Sequence, residues 1–203
     1  MGKKTALVIS VIFHPLLMPT ILFTIIYLFA PFLLAPFNNG YFLLIVLIAS
    51  FLIPLISIVT LYKTGTIDTF VMNEKGERAL PFAFIAVFYW IISYMFYNQF
   101  KPSSTILVLF LTISSIISLV AIINFFWKIS AHSIGISGII GFLICLNIKF
   151  PEVDLLYPIA GAIVVAGLVM SARLSLQVHN LTQIWIGSLT GLIISFASSF
   201  FLL

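Results

Sequence analysis

Apolar runs of roughly 20 residues follow one another along the whole chain, with only short breaks between them. A run of that length in a helix crosses the hydrocarbon core of a bilayer. Inside that core every backbone N–H and C=O must find a partner within the protein, so only helical bundles and closed barrels span it. The runs here are continuous rather than alternating in polarity, which selects helices over barrel strands. The composition leaves no competing class. Of 203 residues, 63% are hydrophobic and 7% charged, with a mean hydropathy of +1.29. A soluble domain needs about 25% charged residues to build its surface. A soluble globular domain, a disordered chain, a coiled coil and a disulfide-stapled secreted domain are all excluded. The fold class expected is all-α: a polytopic transmembrane bundle of about six or seven spans, forming one integral-membrane domain over residues 1–203.

The predicted spans are 5–31, 41–62, 80–98, 104–127, 132–149, 155–172 and 181–202. The breaks between them carry turn chemistry: APFNNG at 35–40, NQFKPSS at 98–104 and KFPEVD at 149–154. The apolar run after Met-Gly-Lys-Lys outlasts the core of a signal peptide, so an uncleaved first span is expected. His14, Pro15 and Pro19 should kink it, because proline removes backbone hydrogen bonds. The longest polar stretch is 62–81. The single cysteine, Cys145, lies in an apolar run and has neither a disulfide partner nor metal-ligand company.

Parity then places the polar segments. Two spans separate the 62–81 stretch from the Lys128–Ser133 turn, and two more separate that turn from Arg173–Gln183. All three therefore share one membrane face with the N-terminus. Lys3, Lys4, Lys63, Lys75, Arg78, Lys128 and Arg173 fall on that face, and Lys101 and Lys149 on the other. The positive-inside rule favours a cytoplasmic assignment for the basic face. However, Lys75, Arg78, Lys128 and Arg173 have a second reading as ligand-binding groups, and without them the count no longer decides the side. The net charge of +4 rests on dispersed residues, which reads as loop bias and not as nucleic-acid binding.

Ionisable groups in so apolar a chain need a reason. Snorkelling to the headgroups accounts for Lys3, Lys4, Lys63, Lys101 and Lys149. The three same-face segments hold more. In NEKGERALP, residues 73–81, Lys75 and Arg78 stand about one helical turn apart before a span whose first turn would hold Pro81. In WKISAHSIG, residues 127–135, Lys128, Ser130 and His132 crowd the start of the fifth span, where free N–H groups and the helix dipole favour a phosphate. In the segment 171–187, Arg173 ends one span, while His179 and Gln183 share a face at the start of the next. Gly135, Gly138 and Gly141 continue from His132, Gly187 and Gly191 continue from His179 and Gln183, and Ala162 and Ala166 mark the span between. Such small residues let membrane helices approach closely. If the fifth and seventh spans pack through them, the two histidines meet at one membrane face. For His14 two roles are open, lining the site from the first helix or filling the kink, and the kink is favoured.

The order Lys…Arg…Pro, then Ser-Ala-His, then Ala-Arg with a histidine six residues on, resembles the type 2 phosphatidic acid phosphatase superfamily of membrane lipid phosphatases. The likeness covers about residues 68–191 and is clearest in the third motif, where Arg173 and His179 keep the family spacing and Gly187 falls near its trailing glycine. In the second motif Ile129 stands for proline and Ala131 for glycine, with Ser130 and His132 retained. In the first, Lys75 and Pro81 are spaced differently about Arg78. Gln183 occupies the position of the family's third-motif aspartate.

The resemblance implies hydrolysis of a phosphomonoester or diphosphate lipid through a phosphohistidine. His179 would be the nucleophile, oriented by Gln183, and His132 would protonate the leaving alkoxide. Lys75, Arg78, Lys128 and Arg173, with Ser130 and nearby backbone N–H groups, would hold the phosphate. No metal and no other cofactor is implied, and the expected partners are a phosphorylated membrane lipid and the bilayer. The expected location is a bacterial inner membrane. Gln183 leaves other outcomes open: recruitment of Asp68 or Glu74 as the acid, or a phospholipid-binding or carrier protein with weak or no catalysis. A structural subunit or small-solute transporter is a third class, disfavoured because no polar residue is buried deep in the middle spans.

Overall fold

The computed structural model describes residues 1–37, 40–67, 75–100 and 102–203, with backbone alone for 75–79 and for 100. Its helices are α1 (Lys3–Ile12), α2 (Met18–Phe29), α3 (Gly40–Leu47), α4 (Ile53–Lys63), α5 (Lys75–Met95), α6 (Ser104–Phe126), α7 (Ala131–Lys149), α8 (Leu156–Ser175) and α9 (Leu181–Leu202). Among the described residues there is no strand. A π turn at Ile48–Leu52 joins α3 to α4, and α1 and α2 follow each other through a 3-10 turn at Pro15–Leu17. Seven stretches are long and apolar enough to cross a membrane, Lys3–Phe29, Gly40–Lys63, Leu80–Gln99, Ser104–Phe126, Ala131–Lys149, Leu156–Ser175 and Leu181–Leu202. They match the spans predicted from the sequence to within a few residues. The chain is an all-α integral membrane protein.

Proline chemistry explains the breaks. Pro15 lacks an N–H for the carbonyl of Val11, so α1 stops at Ile12, and Pro19 sits in the first turn of α2 where no N–H is required. Pro54 likewise leaves the carbonyl of Ser50 without its helical donor. Tyr89 on α5 supplies one, its hydroxyl donating to Ser50 O at 3.3 Å, while Ser50 Oγ meets Thr20 Oγ1 at 3.1 Å. This polar knot ties the first three spans together deep in the bundle, where lipid would offer it nothing, and it corrects the expectation that no polar residue is buried deep in the middle spans. Pro81 differs from expectation. The helix begins at Lys75, so Pro81 lies inside α5 and not in its first turn.

Helix α7 is the centre of the bundle. Its span is 67% buried, against 22–50% for the other six. The Ser- and Gly-rich sequence AHSIGISGIIG permits this, because small side chains let neighbours close on every side. Elsewhere large apolar side chains point outward: Phe201 is 82% exposed, Tyr157 78% and Phe126 77%. In a bilayer these face acyl chains. An aromatic cluster, Phe23, Phe42, Phe96 and Phe110, packs the first four spans, with Phe96 stacked on Phe110 at 4.7 Å.

The contact that positions the functional residues is between α7 and α9. The two run parallel and touch through glycine. A side chain at Gly141 would meet Leu192 O at 2.5 Å, and one at Gly187 would meet Ser130 O at 3.0 Å. One at Gly191 would collide with the carbonyl of Ile134. The seam is therefore backbone against backbone, as the small-residue pattern predicted. Ser137 and Ser188 close it with a 2.7 Å hydrogen bond between their hydroxyls. At the far end Lys149 Nζ lies 4.9 Å from the centre of the Phe200 ring.

Candidate functional site

Because α7 and α9 are parallel and in close register, their N-termini lie side by side. The N–H of Ser130 donates to the carbonyl of Gln183 at 3.4 Å, joining the entry of one helix to the first turn of the other. Two positive dipole ends thus share one spot. Each entry is capped. Ser130 Oγ accepts from the N–H of Ser133 at 3.3 Å and from Ser133 Oγ at 2.9 Å, and Ser130 is wholly buried. It serves as the N-cap of α7, working through the helix start. Asn180 caps α9 in a capping box: its Oδ1 accepts from the N–H of Gln183 at 2.9 Å, and Gln183 Oε1 accepts from the N–H of Asn180 at 3.3 Å.

That box also fixes a histidine. His179 Nδ1 lies 3.1 Å from the same Gln183 Oε1. The backbone N–H of Asn180 can only donate, so the atom of the Gln183 amide that faces it is the oxygen. His179 Nδ1 must then carry the proton, and Nε2 keeps its lone pair. The side chain that sequence placed as an orienting group is thus pinned by its own helix cap.

The spacing of Arg173 and His179 also has a local cause. Arg173 lies in the last turn of α8, which ends at the cap residue Leu176. Gln177 takes a left-handed conformation, φ 55°, and its N–H bonds Leu174 O at 2.9 Å. The chain turns there and re-enters a helix at Asn180. Arg173 and His179 therefore flank one tight turn.

His132, in the first turn of α7 and 9% exposed, reaches the other way, toward the first span. Its Nε2 lies 3.1 Å from Ser10 O. That carbonyl belongs to the last turn of α1, where the break before Pro15 leaves it without a helical donor. His132 Nε2 therefore donates, and Nδ1 holds the lone pair. His14 stands beside it, ring centroids 5.7 Å apart and nearly perpendicular. His14 Nδ1 accepts the N–H of Leu16 at 3.3 Å, capping the 3-10 turn and leaving its proton on Nε2. Arg173, His14 and His179 all lie close enough to His132 to act on it electrostatically, and Arg173 acts on His14 too.

The placement of the predicted residues is then as follows. His132, His179, Gln183, Ser130 and Arg173 gather where α7, α8, α9 and the end of α1 meet. Lys128 is half-buried in the short link before α7. Lys75 and Arg78 lie in the first turn of α5, and their side chains, like Asp68, Glu74 and Lys101, fall outside the described residues. For His14 the favoured expectation, filling the kink, is incomplete. It does occupy the kink, but it also meets His132. The available signal was a polar ring directly before proline within an apolar run. Among the described residues, no three of His, Cys, Asp or Glu stand where they could hold a metal ion.

Set against protein-family models, curated proteins and solved structures, the chain matches none.

Proposed function

We propose that this protein is a membrane-embedded lipid phosphatase that hydrolyses a phosphomonoester or diphosphate lipid through a phosphohistidine on His179. One observation carries the reading: His179 is held through Nδ1 on Gln183 Oε1, at paired helix N-termini, and His132 lies within electrostatic reach of both His179 and Arg173. In this reading the Nε2 lone pair attacks phosphorus, and the bond from phosphorus to the lipid oxygen breaks. The departing oxygen takes the proton of the lipid phosphate's own P–OH, relayed through the Nδ1 lone pair of His132, whose Nε2–H stays on Ser10 O throughout. Water then cleaves the P–N bond, returning the phosphate and neutral His179. Arg173 and the two dipole ends offset the charge that grows on the phosphoryl oxygens, with Lys128, Lys75 and Arg78 as further candidates.

Gln183 supplies orientation without charge. In serine-protease triads an amide in place of the carboxylate costs about 10⁴ in rate by imposing the wrong tautomer. The capping box prevents that error here, so only the charge stabilisation of the imidazolium is lost. The neutral partner is also the observation that favours the second reading, a phospholipid-binding or carrier protein that does not cleave. The setting in either case is a bacterial inner membrane, with the site at the face that carries the N-terminus.

The deciding experiment offers purified protein phosphatidic acid, phosphatidylglycerol phosphate and a polyprenyl diphosphate. Phosphate release abolished in His179→Ala, with an acid-labile phosphoryl group trapped on the wild type, is the expected result. No release from any of the lipids, with binding lost in Arg173→Ala yet kept in His179→Ala, would establish the carrier instead.

A further inference from the structure

His14 has no task in that reaction, yet the fold holds it in the cluster. The break before Pro15 brings its ring to 5.7 Å from that of His132, at 77°. Arg173, from the end of α8, acts electrostatically on both rings. The His14 ring is half-buried. Its Nδ1 accepts the N–H of Leu16, which fixes the proton on Nε2, and among the described residues no acceptor meets that proton. Capping the 3-10 turn does not require an imidazole, because serine or asparagine caps as well. The second nitrogen is what histidine adds. His132 has the opposite sense: its Nε2–H is spent on Ser10 O, and Nδ1 carries a lone pair. The two neighbouring rings thus offer one donor and one acceptor. A phosphate that keeps one P–OH is their complement, because its hydroxyl donates while its other oxygens accept.

We propose that His14 is a third imidazole of the phosphate site: its Nε2–H holds one phosphoryl oxygen, while another oxygen, still carrying its proton, meets Nδ1 of His132. The assignment rests on the phosphate-binding reading of that cluster and adds a ligand from the first span. The group that fits is a phosphate with one P–OH, borne by a lipid or free. A phosphodiester has no such proton, so it sets a bare oxygen against the lone pair of His132 and is disfavoured. The pair of rings therefore distinguishes a phosphomonoester from the diester phospholipids of the surrounding bilayer.

The test is titration calorimetry on the full chain in detergent near pH 6, where about half of a phosphomonoester keeps its second proton. Short-chain phosphatidic acid, short-chain phosphatidylglycerol and inorganic phosphate are the probes. Wild type should bind phosphatidic acid on the order of tenfold more tightly than the diester phosphatidylglycerol. His14→Asn keeps an acceptor for the Leu16 N–H and loses the ring. It should unfold at the wild-type temperature yet bind phosphatidic acid on the order of tenfold more weakly. His14→Ala loses the cap as well, so it should bind as weakly and unfold about 2–4 °C earlier. Inorganic phosphate separates the two sources. If it binds wild type and loses affinity in His14→Asn, the phosphate group suffices; if only phosphatidic acid does so, the lipid is needed too; both outcomes support the proposal. Wild-type affinity for phosphatidic acid in His14→Asn, with affinity lost in Arg173→Ala, would overturn the role of His14 alone. Equal binding of the two lipids to wild type would overturn the donor–acceptor pairing. Should wild type bind neither phosphatidic acid nor inorganic phosphate, the phosphate reading of the cluster falls with it.

Discussion

Among single residues, Gln183 has two duties: its oxygen accepts the N–H of Asn180 and the Nδ1–H of His179. The two can be separated by substitution. Gln183→Glu keeps both acceptors and adds the missing charge, so phosphate release should rise, on the order of tenfold or more. Gln183→Leu removes both. It should lower stability by about 1 kcal/mol through the lost cap and reduce release far more than that loss of fold explains. Thermal unfolding in detergent and phosphate assays on the same samples check the pair of expectations. The capping box was legible in the sequence as Asn-x-x-Gln before an apolar run, yet the spacing from His179 to Gln183 drew attention first. Both hydrogen bonds form, because an acceptor with two lone pairs can serve a backbone and a ring together. The place of His14 was not legible. A residue before proline announces a turn, but which ring it meets depends on how the first span crosses α7, and that is long-range packing.

Among elements, the α7–α9 seam makes the sharpest demand. Gly191→Ala places a methyl group against the carbonyl of Ile134, and the helices must part. A loss of about 1–3 kcal/mol is expected, together with reduced phosphate release, since both helix starts carry site residues. Gly167→Ala is the control: nothing lies within 4 Å of the added carbon, and the change should be neutral or stabilise by up to about 1 kcal/mol. Chemical denaturation monitored by tryptophan fluorescence distinguishes them. The seam was readable in advance because three- and four-residue glycine steps have few other uses in a membrane helix. The start of α5 was not, since hydropathy marks where a helix enters lipid and not where it begins. For that reason Pro81 looked like a first-turn residue when it is an interior one.

At the scale of the molecule, the described contacts put the end of α1 and the starts of α7 and α9 at one end of the bundle, with Lys149 and the end of α9 at the other. In a Cys145→Ser background, Gly2→Cys and Gln177→Cys should react with an impermeant thiol reagent from the same side of a sealed vesicle, and Glu152→Cys only from the opposite side. Labelling of Gly2→Cys and Gln177→Cys from different sides would contradict the seven-span arrangement. Span number was plain from the sequence because a bilayer imposes one length on every crossing. Helix neighbours were plain only where glycine marked them.

The glycine seam has a mechanical consequence. Where carbonyl meets hydrogen there are no rotamers to rearrange, so the wall bearing His179 is stiff. The facing wall is the end of α1, which packs on α8 and meets His132 through one carbonyl and the edge of His14. There the helix is broken between Ile12 and Met18, so that wall lacks the continuous backbone ladder of the seam.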